Sequence, residues 1–329
     1  MEFSQKIKHS NLRKLLLVII AGVFLLYSIF YILYSAPRAH AAGISISPLT
    51  FEINVNPGDV VTNSLRVHNP TDGSVQINID VENFAPRGEE GKVTVSEDFG
   101  ESYSLRDWLI LNPSSFTIGP GSTQVIDFTI QVPRNAEPGG HYGSILASVG
   151  GGAGAGQLGI AQKIGSLLLV NVAGPVEEKM WVKSMTPVIE TAKDTYQDTD
   201  FVEYGPIIMR TRFENLGTVH LKPRGYVLLK DMFGREVARE EIPQVNVLPN
   251  SIRRVDMEMG QKWMFGKYTA DLTAIYGSKN EPLTFSTSFW VIPWTAVTFV
   301  GIGLLILLWI LIKARKRLKL AFKILFRGG

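Results

Sequence analysis

The chain contains no cysteine among its 329 residues. That excludes disulfides, cysteine-ligated zinc and thiol catalysis, and leaves packing and hydrogen bonds to hold the fold. Histidine is scarce too: there are only His9, His40, His68, His141 and His220, and no two stand at His-Glu-x-x-His spacing. A Gly-x-Ser-x-Gly nucleophile elbow is also missing. His68 and His220 fall beside turns, where solvated rings are expected. The sequence therefore points to no catalytic residue, no metal site and no cofactor, and an enzyme is not expected. Charge is sparse, at 19% against 45% hydrophobic residues, which is too apolar for a disordered chain.

Two uncharged runs account for part of that apolar excess. "LLLVIIAGVFLLYSIFYILY" fills residues 15–34 and would extend roughly 30 Å as a helix, enough to cross a bilayer core. It follows Lys6, Lys8, Arg13 and Lys14 and precedes Ala39-His40-Ala41, a small-x-small site. We read residues 1–41 as a signal peptide cleaved after Ala41, with an uncleaved signal anchor as the rival. "WTAVTFVGIGLLILLWILI" fills residues 294–312, with Trp290 and Trp294 where interfacial aromatics belong. Lys313, Arg315, Lys316, Arg317, Lys319, Lys323 and Arg327 follow it with no acid among them. Basic residues flank both runs on their outer ends, so the tail is expected in the cytoplasm and the middle of the chain outside, whether or not the leader is cleaved.

Five of the 33 Lys and Arg residues lie in residues 1–41 and seven after Ile312, leaving 21 between them against 29 of the 30 acids. The exterior segment thus carries a net charge of −8 behind the overall +3. Nucleic acid is not an expected partner. An extracytoplasmic chain without disulfides behind a basic leader suits a bacterial envelope.

Between the runs the grammar is that of short strands. Val75, Ile77, Ile79 and Val81 alternate with Gln76, Asn78, Asp80 and Glu82, and Ile126, Phe128, Ile130 and Val132 with Asp127, Thr129 and Gln131. Turn residues punctuate them at Pro57-Gly58, Asn69-Pro70, Asp72-Gly73, Pro120-Gly121 and Pro138-Gly139-Gly140. "ESYSLRDW" reads instead as a helical turn that packs Leu105 and Trp108 under a loop. The pattern then repeats. Phe213-Glu214-Asn215-Leu216-Gly217 stands where Val67-His68-Asn69-Pro70 stood, and Val247-Leu248-Pro249-Asn250-Ser251 answers Ile118-Gly119-Pro120-Gly121-Ser122. Gly140-His141-Tyr142 and Gly266-Lys267-Tyr268 each open a late strand, the placement of the tyrosine corner in immunoglobulin-like sandwiches. The fold class is mostly β: two tandem immunoglobulin-like β-sandwiches between an N-terminal signal or anchor helix and a C-terminal transmembrane helix. The expected divisions are 1–41, 42–174, 175–290, 291–312 for the transmembrane helix and 313–329 for the basic cytoplasmic tail.

"ISPLTFEINVNPGDVVTNSLRVHNPTDGSVQINIDVENF" followed by "FTIGPGSTQVIDFTIQVPRNAEPGGHYGSILAS" resembles the peptidoglycan-binding domain of the WxL-interacting cell-surface proteins. The order of leader, two sandwiches, C-terminal helix and basic tail is similar as well. The resemblance implies a first domain that associates with peptidoglycan and a second that meets host or partner proteins. More distantly, the first block resembles pilus-chaperone sandwiches. The expected partners are accordingly membrane lipid and either peptidoglycan or a surface protein. A membrane-anchored assembly or secretion chaperone that lends a strand edge, or a structural spacer, are the alternatives.

Arg87 in "FAPRGEEGK", Arg106 and Trp108 are the candidate ligand contacts, since aromatic faces and guanidinium forks suit sugars and peptides. Core packing of Trp108 and solvation of Arg87 are the competing readings. "GGGAGAG" at 150–156 lacks a closing Gly-Lys-Ser/Thr and reads as a hairpin loop before a long strand. "DTYQDTDFVE" at 194–203 reads as a solvated acidic linker, with a weak divalent-cation site as the alternative.

Overall fold

The structure is a computed structural model that describes residues 43–95, 103–149, 163–193 and 195–325, with side chains as far as Arg315. Of the first apolar run it describes Gly22, Phe24, Leu25, Tyr27 and Ser28, all helical. The expected cleavage site at 39–41, the glycine run at 150–156 and Asp194 lie outside the described residues.

Alternating side chains set the architecture. The first half forms β1 (Ser45–Ser47), β2 (Thr50–Val55), β3 (Val60–His68), β4 (Val75–Glu82), β5 (Phe84–Arg87), β6 (Lys92–Val95), β7 (Leu109–Asn112), β8 (Ser115–Ile118), β9 (Thr123–Gln131), β10 (Gly139–Val149) and β11 (Lys163–Val172). One sheet runs β1-β3-β9-β7 and the other β2-β11-β10-β4-β8. In β4 and β9 the expected apolar set, with Ile77, Ile79, Ile126, Phe128 and Ile130 at its centre, turns inward while Gln76, Asn78 and Asp127 stay exposed. Leu65, Val67, Ile145, Leu168 and Val170 complete that core. β5 and β6 form a separate hairpin. A short 3-10 turn, Arg106–Trp108, fulfils the helical expectation for that segment, with Leu105 fully buried beside it.

The second half forms β12 (Met180–Ala192), β13 (Thr195–Asp198), β14 (Phe201–Val202), β15 (Ile207–Asn215), β16 (Arg224–Lys230), β17 (Glu236–Glu241), β18 (Ser251–Met259), β19 (Gly266–Tyr276) and β20 (Glu281–Val291). Its sheets run β13-β12-β15-β18 and β14-β20-β19-β16-β17. Met209, Phe213, Met257, Val227, Leu272 and Phe289 make a second, separate core. The chain is thus two immunoglobulin-like sandwiches. The acidic segment is not a linker. It supplies β13 and β14, and its Asp198 lies 2.9 Å from Arg212.

The repeat visible in the sequence is structural. Each five-stranded sheet begins with a short parallel edge strand, β2 on β11 and β14 on β20, and continues through antiparallel neighbours. Asn69 and Asn215 are both fully buried and do the same work. Their Nδ2 groups donate to the carbonyl four residues on, at Gly73 (2.7 Å) and Val219 (2.8 Å), and again to the distant turn, at Ile118 (3.2 Å) and Val247 (2.8 Å). Their Oδ1 atoms accept from the amide two residues on, at Thr71 (3.0 Å) and Gly217 (2.9 Å). Each asparagine therefore satisfies backbone groups that a buried crossing would otherwise leave unpaired.

The last element is α1 (Trp294–Leu325). Its first 22 residues, Trp294–Arg315, have a mean hydropathy of 2.6 and their most apolar stretch contains no buried residue, so by length and composition this helix can cross a membrane. It does not stop at Ile312, where the apolar run ends, but carries the basic segment onward as helix to Leu325. Asn69→Ala and Asn215→Ala should each cost about 2–3 kcal/mol in denaturant unfolding of the detergent-solubilised chain, because both strand several buried backbone groups. The exposed Asn78→Ala should cost less than about 0.5 kcal/mol.

Candidate functional site

Strand β10 is buried on both faces from Gly139 to Ala147, unlike the other strands of its sheet. Its inward residues join the first core. Its outward residues join a third, smaller cluster of Phe84, Tyr142, Leu169 and Leu248, with Val93, Tyr103 and Leu167 packed around it. Leu248 comes from the second sandwich, so this cluster is the joint between the two. Tyr142 is fully buried there, edge-on to Phe84 and to His220, and its hydroxyl lies 3.3 Å from His220 Nδ1. A Cβ on Gly140 would fall 2.0 Å from that hydroxyl, so only glycine lets the phenol lie back along the strand. The tyrosine-corner expectation changes accordingly: Tyr142 is structural, but it ties one sandwich to the other. Tyr268 does act within its own domain, accepting from the Phe265 amide three residues upstream at 3.3 Å.

Polar contacts frame the joint. The Gly140 amide donates to the Thr218 carbonyl at 3.0 Å. Glu52 on β2 accepts from Lys222 (2.6 Å) and Asn246 (2.7 Å). Burial opposes its ionisation, but those bonds outweigh burial and hold its pKa below the usual carboxylate range. The tip of the β5–β6 hairpin reaches β15 and β18 of the second sandwich. Glu89 accepts from Arg212 Nε at 2.8 Å, its carbonyl accepts the Arg254 amide at 2.7 Å, and Glu90 lies 3.1 Å from Arg254. His220 is also enclosed, contrary to the expected solvated ring. Burial pushes its pKa down to about 4, with Lys222 adding to the effect and Glu52 opposing it.

Beside this joint opens a cleft of about 190 Å³. Phe84, Leu167, Leu169, Leu248 and Ile252 give it apolar walls, and Thr50 of β2 and Arg253 of β18 add polar groups. Arg253 is the anomaly. Its guanidinium makes no hydrogen bond or ion pair among the described residues, and its Nε is buried without a partner. Burial alone pushes its pKa down. It lies against Gly91, where a side chain's Cβ would fall 0.6 Å from its Nη1. Neighbouring Arg210, Arg212 and Arg254 are all paired with carboxylates.

The sequence candidates fall elsewhere. Trp108 packs on the His141 ring at 4.3 Å and lines a second groove of about 370 Å³ with Ser104, Asp107, Asn135 and Glu137. Arg106, beside it, lies 3.7 Å from Glu82. Arg87, at the end of β5, lines neither groove, so the three are not brought together. In "FAPRGEEGK" it is Glu89 and Glu90 that make the long-range contacts. Sequence reasoning missed them and Arg253. The missing alternation in "GGHYGSILA" was the available sign that β10 is covered on both sides.

No protein-family model matches the chain, and no curated protein matches it in sequence. Solved structures with a similar course include the class 5 fimbriae chaperone CfaA, at 10% identity, 74% of this chain, 99% of that one and a TM-score of 0.37. The Salmonella enterica SafA pilin–SafB chaperone complex follows at 9%, 76%, 99% and 0.35, and the E. coli chaperone DraB at 12%, 76%, 97% and 0.34. At such scores the site rests on this chain's own residues.

His220 sets an expected pH dependence. Above about pH 6.5 the ring is neutral in both folded and unfolded chains, and this group contributes no slope. As pH falls from about 6.5 towards about 4 the unfolded chain takes up a proton that the folded joint refuses, so stability drops, by at most about 3 kcal/mol. Thermal unfolding across that range should show the loss, and His220→Gln should flatten it.

Proposed function

We propose that this protein is a membrane-anchored, extracytoplasmic binding module of a bacterial envelope that takes an extended segment of a partner polypeptide into the cleft between its sandwiches. The unpaired guanidinium of Arg253 in an apolar cleft carries this reading. Its planar fork of donors is matched by a carboxylate, and the surrounding Phe84, Leu167, Leu169 and Leu248 suit an adjacent apolar side chain. Thr50 in the cleft wall begins β2, an edge strand whose outer side pairs with no strand among the described residues, so main-chain pairing is available next to the cation. A surface protein held at the membrane and a client held during assembly would use the same contacts. The apolar α1 and the basic residues after it support anchorage with the sandwiches outside.

Apolar peptides that carry one carboxylate should bind the solubilised full chain at least about tenfold more tightly than their amide counterparts. Arg253→Met should erase the difference. Equal binding of acid and amide to the unsubstituted chain overturns the cleft as the site.

A second reading, contact between the first sandwich and peptidoglycan, is favoured by the Trp108 groove. A half-buried indole flanked by Asp107, Asn135 and Glu137 offers a sugar one apolar face and several hydrogen-bonding groups. With a net −8 outside, such binding should survive added salt. Co-sedimentation with purified peptidoglycan should fall several-fold in Trp108→Ala and stay unchanged in Arg253→Met.

A further inference from the structure

The large exposed aromatic side chains of the second sandwich gather at one end. Strand register defines that end. Gly266 pairs with Val291, Lys230 with Thr269, Ile207 with Met259 and Val202 with Val291. The loops at 203–206, 231–235 and 260–265 therefore stand together around the point where β20 leaves the sheet and α1 begins. Phe233 is 75% exposed, Trp263 73% and Phe265 63%, with Phe201, Trp290 and Trp294 also exposed around them. The other described exposed aromatics of the second sandwich are Trp181, at the opposite end, and Tyr196, whose ring lies under the Arg210 guanidinium on the β13 side. So much apolar aromatic surface at one rim is costly in water unless something covers it.

The rim is built onto the helix. Tyr204 hydrogen-bonds Thr295 through its hydroxyl, Glu203 accepts the Thr295 amide at 3.1 Å, and the Tyr204 ring meets Trp263 edge-on at 6.1 Å. These bonds hold the 203–206 and 260–265 loops beside the first turn of α1. Lys262 stands 6.0 Å from the centre of the Trp263 ring and Arg235 5.3 Å from that of Phe233. Tryptophan, phenylalanine and nearby cations at the mouth of an apolar helix match the chemistry of a membrane–water boundary, where rings sit among headgroups and cations meet phosphates.

We propose that this rim is an interfacial collar that seats the second sandwich directly on the outer leaflet of the bilayer crossed by α1. The collar deepens the anchorage proposed above and rests on α1 being a membrane span. Its consequence is orientation. Seated at five loop and strand-end aromatics as well as at Trp294, the sandwich stands upright instead of swinging on a single chain. Arg253, six residues along β18 from Met259, is then held roughly 20 Å above the rim.

The absence of cysteine makes the test direct. Single-cysteine variants Phe233→Cys, Trp263→Cys, Lys279→Cys and Leu307→Cys of the full chain, each labelled with an environment-sensitive fluorophore, are placed in phosphatidylcholine–phosphatidylglycerol nanodiscs. Spin-labelled lipids with the nitroxide near the headgroup or deep in the acyl chain serve as quenchers. Position 307 should be quenched by the deep label, which checks the span. Positions 233 and 263 should be quenched by the shallow label several-fold more than 279, which lies at the opposite end of the sandwich. Deep quenching at 307 with 233 and 263 no more quenched than 279 overturns the collar and leaves the span standing. An unquenched 307 overturns both. Labels at 233 and 263 that turn apolar in emission without lipid quenching also overturn the collar and assign the rim to a protein contact.

Discussion

The arrangement of this molecule depends on β10 having no wet face. An antiparallel strand in a sandwich ordinarily shows one side to solvent, yet here Tyr142 and its neighbours project outward into apolar surroundings. That face has to be covered. The β5–β6 hairpin supplies Phe84, the second sandwich supplies Leu248 and His220, and the polar bonds of Glu52, Glu89 and Glu90 follow because those groups are brought within reach. Covering the strand thus converts two beads on a string into one unit.

The cleft is a by-product of the same packing. The hairpin and the second sandwich cover β10 but stop short of the outer end of β11 and of β2, leaving Leu167, Leu169 and Thr50 as walls. Arg253 is enclosed by that partial closure while its neighbours find acids. A half-buried guanidinium with its Nε shielded and no carboxylate beside it gains from an anion that reaches it. Hence the geometry that joins the domains also leaves one cation of the cleft without an acid among the described residues.

Both ends of the second sandwich are then in use. Its far end carries the joint, and its near end carries the aromatic rim around the start of α1. With the rim seated on a bilayer, the cleft would stand at a fixed height above the membrane surface. His220 makes the joint sensitive to acid, because burial at the joint disfavours the charged ring.

The sequence by itself determined the strands, the turns, the apolar C-terminal helix and the internal repeat. These are local patterns: period-two alternation in β4 and β9, asparagine turns at Asn69 and Asn215, and an uncharged run of helix-spanning length. It also marked Tyr142 as structural, though not what it holds. Only the tertiary structure decided that Tyr142 meets His220, 78 residues away, that Glu52 meets Lys222 across 170 and Glu89 meets Arg212 across 123. Which arginine is left unpaired follows from those encounters combined with strand alternation. Arg253 and Arg254 are adjacent in sequence, but side chains alternate across a strand, so one turns to the hairpin's acids and the other into the cleft.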